Sequence, residues 1–210
     1  MENESGHAAL NARKWNKRAE TYDEQRFSYF RWMQRKAVSF LSLKKGIHFL
    51  DIGCGTGYAV RFVANMLETD GAFFGVDISP RMVDIARANA AGFKNTSFVV
   101  ANAEELPFDG EIFEVILCTN SFHHYQNPSK ALSEIYRVMK PNGQLYVMDV
   151  TADSRLIRRI DQRVKRREAE HVKFYATTEY HSLFEKAGLK HISSRLIWPP
   201  EKLHIAQKVG

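Results

Sequence analysis

The sequence has only two cysteines, Cys54 and Cys118, in 210 residues. Each lies in a Gly-rich or apolar segment, and neither has the spacing to other residues that is typical of a metal site. We therefore expect two buried thiols in a reducing compartment, with neither a disulfide nor a zinc site. We also expect no other metal.

Long apolar runs are missing as well. No run approaches the roughly 18 residues that a membrane-spanning helix needs, and the polar start lacks the apolar core of a secretory signal. A hydrophobic fraction of 44% and a charged fraction of 26% exclude long disorder and collagen-like structure. The length fits one domain with some additions. We expect a cytoplasmic protein without a transmembrane segment.

Acidic residues are scarce in one segment. The net charge is +6, and residues 155–167 contain seven basic residues and one acidic residue. The rest of the chain is neutral, with 23 residues of each sign. A globally basic nucleic-acid-binding protein would spread its charge more widely, so we do not expect a nucleic-acid partner.

This basic segment is predicted to form a helix within an insertion at 153–170. Leu156, Ile160 and Val164 recur at helical spacing, with arginines between them. Three interpretations remain open: a solvated face of a packed helix, a lid that contacts an anionic or membrane-associated acceptor, or a patch that binds RNA. An apolar stripe opposite charges is typical of a helix at a membrane surface, and also of any packed helix.

Two hydrophobic patterns divide the chain. Residues 1–43 form an aromatic helical leader, which we interpret as a helical pair that packs on a sheet and also acts as a cofactor lid. Residues 44–210 alternate short apolar runs with helical stretches, which predicts a doubly wound, mostly parallel α/β sheet. The seven predicted strands are 47–52, 72–76, 97–101, 113–119, 145–150, 189–198 and 203–209. Helices are predicted at 56–67, 80–90, 128–139, 155–167 and 178–187, and a turn at 141–143.

Alternate glycines follow the first predicted strand. Gly53, Gly55 and Gly57 allow positive φ angles and let a ligand approach the main chain closely. A dinucleotide fingerprint needs its third glycine at the position of Tyr58. Asp77 ends the second strand, where a carboxylate can accept hydrogen bonds from ribose hydroxyls. Together these features favour an adenosine-like ligand without a diphosphate.

The motifs resemble those of class I S-adenosylmethionine-dependent methyltransferases, of the small-molecule type that includes the quinone-biosynthesis C-methyltransferases. The similarity extends from about residue 15 to residue 197. The matching segments are 15–23, 50–57, 76–79, 102–108, 113–118 and 131–145. The resemblance implies a Rossmann-like methyltransferase domain that binds S-adenosyl-L-methionine and releases S-adenosyl-L-homocysteine.

Carried over residue by residue, the resemblance implies a cofactor site. Asp51 would lie near the ammonium group of the methionine part, and Asp77 would bind the ribose. Asn102 would meet the adenine edge, Asn120 would face the sulfonium, and Tyr22 would close over the site. The implied cofactor-binding residues are Tyr22, Asp51, Gly53, Cys54, Gly55, Gly57, Asp77, Ile78, Met82, Asn102, Ala103, Glu104 and Asn120.

Two residues depart from the family pattern. Asn102 stands where the family usually has aspartate, and its amide oxygen can still accept a hydrogen bond from the adenine amino group. Glu114 stands where the family favours aspartate after Phe113. The sequence gives no role for this longer acid.

The segment after the fourth strand bears on the chemistry. His123 and His124 are candidates for a general base that would deprotonate a phenol or enol, although such a pair also fits an ordinary loop beneath the cofactor. The stretch from Asn120 lacks the Pro-Pro-aromatic motif of enzymes that methylate adenine N6 or glutamine. Cys118 lies within a predicted strand, which argues against pyrimidine C5 chemistry.

We therefore expect in-line transfer of a methyl group to a small-molecule acceptor, with aromatic and anionic molecules as the candidates. Peripheral membrane contact is compatible with this hypothesis. Two alternatives remain: an RNA-directed methyltransferase that docks through residues 155–167, and a non-catalytic module that binds the cofactor.

Overall fold

The computed structural model describes residues 2–22, 28–67 and 71–210, and its centre is a seven-stranded sheet in the order β3-β2-β1-β4-β5-β7-β6. The strands are β1 (Ile47–Ile52), β2 (Gly71–Asp77), β3 (Thr96–Val100), β4 (Phe113–Thr119), β5 (Met139–Val150), β6 (Leu189–Trp198) and β7 (Glu201–Lys208). The pairs from β3 to β5 are parallel, and β7 runs antiparallel to both of its neighbours. The predicted doubly wound, mostly parallel sheet is confirmed.

Seven helices and a short 3₁₀ turn connect the strands within the described ranges. The helices are α1 (Glu2–Arg18), α2 (Ser28–Val38), α3 (Tyr58–Leu67), α4 (Pro80–Asn89), α5 (Pro128–Val138), α6 (Arg155–Arg167) and α7 (Thr177–Lys186), and the 3₁₀ turn is Phe122–His124. Ser79 caps α4 by accepting a hydrogen bond from the Met82 N–H, as the sequence predicts. The part of the predicted helical leader at 23–27 lies outside the described residues.

The core forms two apolar layers. Met33, Ala37 and Val38 of α2 are buried in one of them, together with Phe49 of β1 and Phe73 of β2. The helical leader therefore contributes to the main core instead of only covering it. Its boundary near residue 43 and its role as a lid remain predictions.

Several element boundaries differ from the predictions, and two of the differences have a local cause. Helix α3 begins at Tyr58 because the Gly-rich turn continues through Gly57, which has a φ of 75°. Strand β5 begins at Met139 instead of residue 145, so the predicted turn lies inside it. The pairing of β5 with β4 shifts register between Phe113 and Val115 to accommodate that segment.

Glu114 has a structural role that the sequence did not reveal. Its carboxylate accepts a hydrogen bond from the His48 N–H at 2.8 Å and pairs with Lys140. Burial raises its pKa, but the contacts with Lys140 and His48 outweigh burial and lower it overall. The longer acid thus connects the start of β1 to β5.

The two cysteines are buried, free thiols, as predicted. Burial raises the pKa of both, so the thiol form dominates at neutral pH. None of the helices in the described ranges is long and apolar enough to cross a bilayer.

Candidate active site

A cavity opens at the carboxyl ends of the central strands. It is a concave site of the kind in which proteins bind small molecules. Ile52 at the end of β1 and Gly53 directly after it form one wall, and Asp77 at the end of β2 lies beside them. Asn120 follows β4, and α1 contributes Trp15. Parallel sheets bind ligands at this edge, so the fold itself positions the cavity.

Most of the predicted cofactor residues line this cavity. Those that do are Tyr22, Gly53, Gly55, Asp77, Ile78, Met82, Asn102, Ala103, Glu104 and Asn120. Asp51, Cys54 and Gly57 lie outside its lining. Cys54 and Asp51 are fully buried behind the turn, and a Cβ atom on Gly57 would lie 2.7 Å from the Phe98 ring. Gly57 therefore allows close packing of the turn on β3.

The Gly-rich turn is fixed by hydrogen bonds to β2. The N–H groups of Gly53 and Cys54 donate to the carbonyl oxygen of Val76. The Gly55 N–H donates to Asp77 Oδ2 at 2.9 Å, and the Ser79 N–H donates to Asp77 Oδ1 at 2.9 Å. Asp77 therefore both holds the turn and faces the cavity. Its oxygens retain lone pairs for a ligand hydroxyl.

Asp51 is a buried carboxylate without a compensating charge. Its side chain is 0% exposed, and neither oxygen has a hydrogen-bond partner in the described part of the chain. Burial and the nearby charge of Asp77 raise the pKa of Asp51 to about 8. Such a group is stabilised by a cation, and the resemblance predicted an ammonium group there.

Helix α1 closes one side of the cavity. The Trp15 ring makes edge contacts with Tyr22 at 6.1 Å and with His124 at 5.5 Å between centroids. Asn16 Oδ1 accepts a hydrogen bond from Ser79 Oγ at 2.6 Å, and Asn11 donates to the carbonyl oxygen of His124 at 3.2 Å. These bonds join α1 to the first turn of α4 and to the 3₁₀ turn.

Several lining residues were missed by the sequence analysis. Asn11 and Gln126 each have a buried side-chain oxygen with no hydrogen-bond partner among the described residues, so each can accept a bond from a ligand. Ser121 and Tyr125 also line the cavity and are linked by a hydrogen bond of 3.1 Å. Trp15 belonged to the helical leader pattern, whereas nothing in the local sequence around Asn11 or Gln126 indicated a site.

The predicted adenine contacts carry local hydrogen bonds. Asn102 Oδ1 already accepts from the Glu104 N–H at 3.1 Å, so its amide nitrogen is the more available group. Glu104 Oε1 accepts from the Asn127 N–H at 2.9 Å at the start of α5. Both side chains thus shape the loop after β3 as well as the cavity wall.

The two histidines occupy different places. His124 lines the cavity, whereas His123 lies outside its lining. Burial is the main reason that the pKa of His124 falls to about 2, so its ring is neutral at neutral pH. His123 Nδ1 lies 2.7 Å from a carboxylate oxygen of Asp149, which is 0% exposed.

Comparison with known sequences shows one family. A family model described as a methyltransferase domain matches residues 43–188. Demethylmenaquinone methyltransferase from Tropheryma whipplei strain Twist is 33% identical over 155 residues, which cover 72% of this chain and 63% of that protein. The ubiquinone/menaquinone biosynthesis C-methyltransferase UbiE from Hydrogenovibrio crunogenus is 31% identical over 130 residues, covering 60% of this chain and 51% of that protein. The chain thus spans about half to three fifths of these relatives.

Solved structures show the same fold at lower identity. A chain in the complex of the Haloferax volcanii Trm112 methyltransferase activator with a methyltransferase aligns with a TM-score of 0.82 at 22% identity, covering 93% of this chain and 98% of that one. A SAM-dependent methyltransferase from Aquifex aeolicus aligns with a TM-score of 0.74 at 22% identity, covering 92% and 98%.

Proposed function

Because this chain belongs to the methyltransferase domain family, we propose that it uses S-adenosylmethionine to methylate a small-molecule acceptor. The observation that carries the proposal is the carboxylate of Asp51, which is 0% exposed and has no hydrogen-bond partner among the described residues. A carboxyl group buried in this way is either protonated or stabilised by a nearby cation. The cofactor has an ammonium group and a sulfonium.

The residues present fit this cofactor. Asp77 and the unpartnered oxygens of Asn11 and Gln126 supply acceptors for hydroxyl and amino groups. A Cβ atom on Gly55 would lie 3.5 Å from the Tyr22 ring, so a side chain there would fill the space beneath that ring. The turn after β1 lacks the glycine spacing that binds a diphosphate, which suits an adenosyl group that carries none.

The bound cofactor would supply an activated methyl group. The chain would orient it, with Asp77 holding the ribose and Asp51 the ammonium group, while Trp15 and Tyr22 exclude water. The acceptor atom would have to lie in line with that methyl group, and an acceptor that carries a proton would need a base to take it. A general-base role for His123 or His124 remains a prediction, and the low pKa of His124 makes that ring a weak base.

For the acceptor we propose an aromatic enol or phenol of the quinol type. The relatives named above include enzymes of menaquinone and ubiquinone biosynthesis. The rings of Trp15, Tyr22 and Tyr125 line the cavity and suit a flat aromatic acceptor.

Calorimetric titration tests the cofactor assignment. We expect S-adenosylmethionine and S-adenosylhomocysteine to bind with 1:1 stoichiometry and NAD not to bind. Binding of NAD alone would contradict the proposal. Binding of S-adenosylhomocysteine without methyl transfer to any quinol, phenol or RNA probe would support a non-catalytic module instead.

Asp77→Ala should weaken S-adenosylhomocysteine binding by about 10- to 150-fold, which corresponds to roughly 1.5–3 kcal/mol for hydrogen bonds to a charged group. It should also lower stability, because the N–H groups of Gly55 and Ser79 lose their acceptor. Titration calorimetry and urea unfolding measure the two effects. Asp84→Ala, a change at a surface acid of α4 with a 60% exposed side chain, is the control and should leave both unchanged. An unaltered affinity in Asp77→Ala would remove Asp77 from the site.

We further propose that α6 contacts an anionic membrane surface in the cytoplasm. None of its residues is buried, and the apolar side chains Leu156 and Ile160 are 64% and 37% exposed. Asp161 instead faces the protein, where it accepts from the Phe174 N–H at 2.7 Å. The outer face is thus basic and apolar, which suits anionic headgroups above acyl chains.

Vesicle sedimentation tests this surface. We expect binding to vesicles that contain phosphatidylglycerol but not to pure phosphatidylcholine, and we expect Arg159→Glu/Arg163→Glu to abolish it, because each basic residue contributes about 1 kcal/mol. Lys44→Glu/Lys45→Glu makes the same charge change at another exposed site and should have little effect. Binding of both double variants like the wild type, or binding to RNA but not to anionic vesicles, would contradict the proposal.

A further inference from the structure

Three histidines meet beside the cavity. His123 and His124 belong to the 3₁₀ turn after β4, and His171 lies in the loop between α6 and α7. The His123 ring centroid lies 4.0 Å from that of His124 and 5.5 Å from that of His171. One ring nitrogen from each histidine lies within 4.8 Å of the other two. Two of the rings, those of His124 and His171, are buried.

Each ring has an oxygen acceptor close to one of its two nitrogens. His123 Nδ1 lies 2.7 Å from Asp149 Oδ1, and His171 Nε2 lies 2.7 Å from Asp161 Oδ1. His124 Nδ1 lies 3.0 Å from the carbonyl oxygen of Glu170. A carbonyl oxygen only accepts hydrogen bonds, so Nδ1 of His124 carries the proton. In the same way, the carboxylates favour a proton on Nδ1 of His123 and on Nε2 of His171. This leaves the lone pairs on Nε2 of His123, Nε2 of His124 and Nδ1 of His171.

The acceptors are themselves fixed by the backbone. Asp149 is 0% exposed and accepts from the N–H groups of His123 and Val150. Asp161 accepts from the Phe174 N–H. Metal-binding histidines in proteins almost always donate their second ring N–H to a carboxylate or a backbone carbonyl, which orients the ring and increases its basicity. All three histidines here have that partner, and the two carboxylates supply negative charge beside the cluster.

We propose that His123, His124 and His171 form a binding site for a divalent transition-metal ion, with zinc as the best match. Three imidazoles with one open position are a typical catalytic zinc environment. Zinc binds imidazole nitrogen at about 2.0–2.1 Å, so tetrahedral ligands lie roughly 3.4 Å apart. One nitrogen of each ring lies within 4.8 Å of the others, so metal binding would draw the three side chains closer together. Since His124 also lines the cavity, an acceptor oxygen there would be within reach of the open position.

Metal titration of the full chain after EDTA treatment tests the site. We expect one Zn²⁺ per chain by calorimetry and a tetrahedral d–d absorption spectrum with Co²⁺. His171→Gln and His123→Gln should each weaken Zn²⁺ binding more than Asp161→Asn, for which we expect a loss of about 10- to 100-fold, typical of a residue that orients a ligand. His191→Gln is the control: His191 lies 3.7 Å from His181 between ring centroids, and its loss should not change Zn²⁺ affinity.

Absence of Zn²⁺ binding by the wild type would overturn the site. Undiminished affinity in both His171→Gln and His123→Gln, or a loss confined to His191→Gln, would also overturn it. S-adenosylhomocysteine affinity, measured in parallel, reports whether each variant is folded. A chain that binds S-adenosylhomocysteine but not Zn²⁺ would contradict this inference and leave the proposed function intact.

Discussion

Replacing Asp51 with asparagine is expected to stabilise the cofactor-free protein and to weaken cofactor binding. The pKa of Asp51 is raised to about 8 in the folded chain, against an ordinary value of 3.8. Below pH 3.8 the carboxyl group is protonated in both the folded and the unfolded state, so its ionisation does not change the free energy of unfolding. As the pH rises from 3.8 to 8, the unfolded state ionises first, so the free energy of unfolding falls. Above pH 8 the carboxyl group is ionised in both states, so the free energy of unfolding stays at this lower value.

Asparagine removes this pH-dependent cost. The stability of Asp51→Asn relative to the wild type should therefore increase between pH 5 and pH 9, by on the order of a few kcal/mol. Urea unfolding without cofactor measures the difference. Asp153→Asn is a control of opposite sign, because its contacts with Lys202 and Thr177 overcome burial and lower the pKa of Asp153 to about 2. Asp153 therefore contributes stability above pH 3.8 that is lost as the pH falls towards 2.

The same carboxylate should release a proton when the cofactor binds. At pH 7 Asp51 is mostly protonated, and an ammonium group beside it would favour the ionised form. Binding of S-adenosylhomocysteine to the wild type should thus release about one proton, seen as a dependence of the binding enthalpy on the buffer. In Asp51→Asn we expect no such dependence and an affinity about 10- to 100-fold lower. Equal proton release by both proteins would show that Asp51 does not bind the ammonium group.

The parts of the site that follow from local sequence were predictable. Gly53 and Gly55 lie at the end of a buried strand, and Asp77 ends the next strand, so the parallel sheet places all three at one edge. The strand pattern itself predicted seven strands, because buried runs alternate with helices. Boundaries failed where local geometry decided them, as at Tyr58, where the left-handed Gly57 postpones the helix.

The parts that depend on long-range packing were not predictable. Asn11 reaches the carbonyl of His124 across 113 residues of sequence, and the position of α1 above the cavity decides that contact. His171 lies in the loop between α6 and α7, and only the folded chain brings it beside His123 and His124, so nothing in the local sequence groups these three histidines. The Asn102 oxygen also accepts a local hydrogen bond from the Glu104 N–H, which the sequence did not indicate, and its contact with adenine stays a prediction.

Gly53→Ala is expected to cause the largest loss of stability among single changes in the turn. Gly53 has a φ of 75°, which costs a residue with a side chain roughly 1–2 kcal/mol. The Cβ atom of an alanine there would lie 2.2 Å from Ser121 Oγ and 2.6 Å from Ser121 Cβ. Overpacking of this kind costs about 1–3 kcal/mol more. Because Gly53 and Ser121 both line the cavity, S-adenosylhomocysteine binding should fall with stability.

A second change at Ser121 separates the clash from the backbone strain. Ser121→Gly removes both clashing atoms, so Gly53→Ala/Ser121→Gly should recover the overpacking cost but not the cost of the positive φ. Ser121→Ala is the matched control: it removes the oxygen and keeps the Cβ atom at 2.6 Å, and should rescue less. Urea unfolding and calorimetry of each single and double variant form the cycle. If neither Ser121→Gly nor Ser121→Ala gave any rescue, the cost would lie in the backbone alone, and close contact between the turn and the segment after β4 would not explain why position 53 requires glycine. Equal rescue by both would place the clash at the Ser121 oxygen.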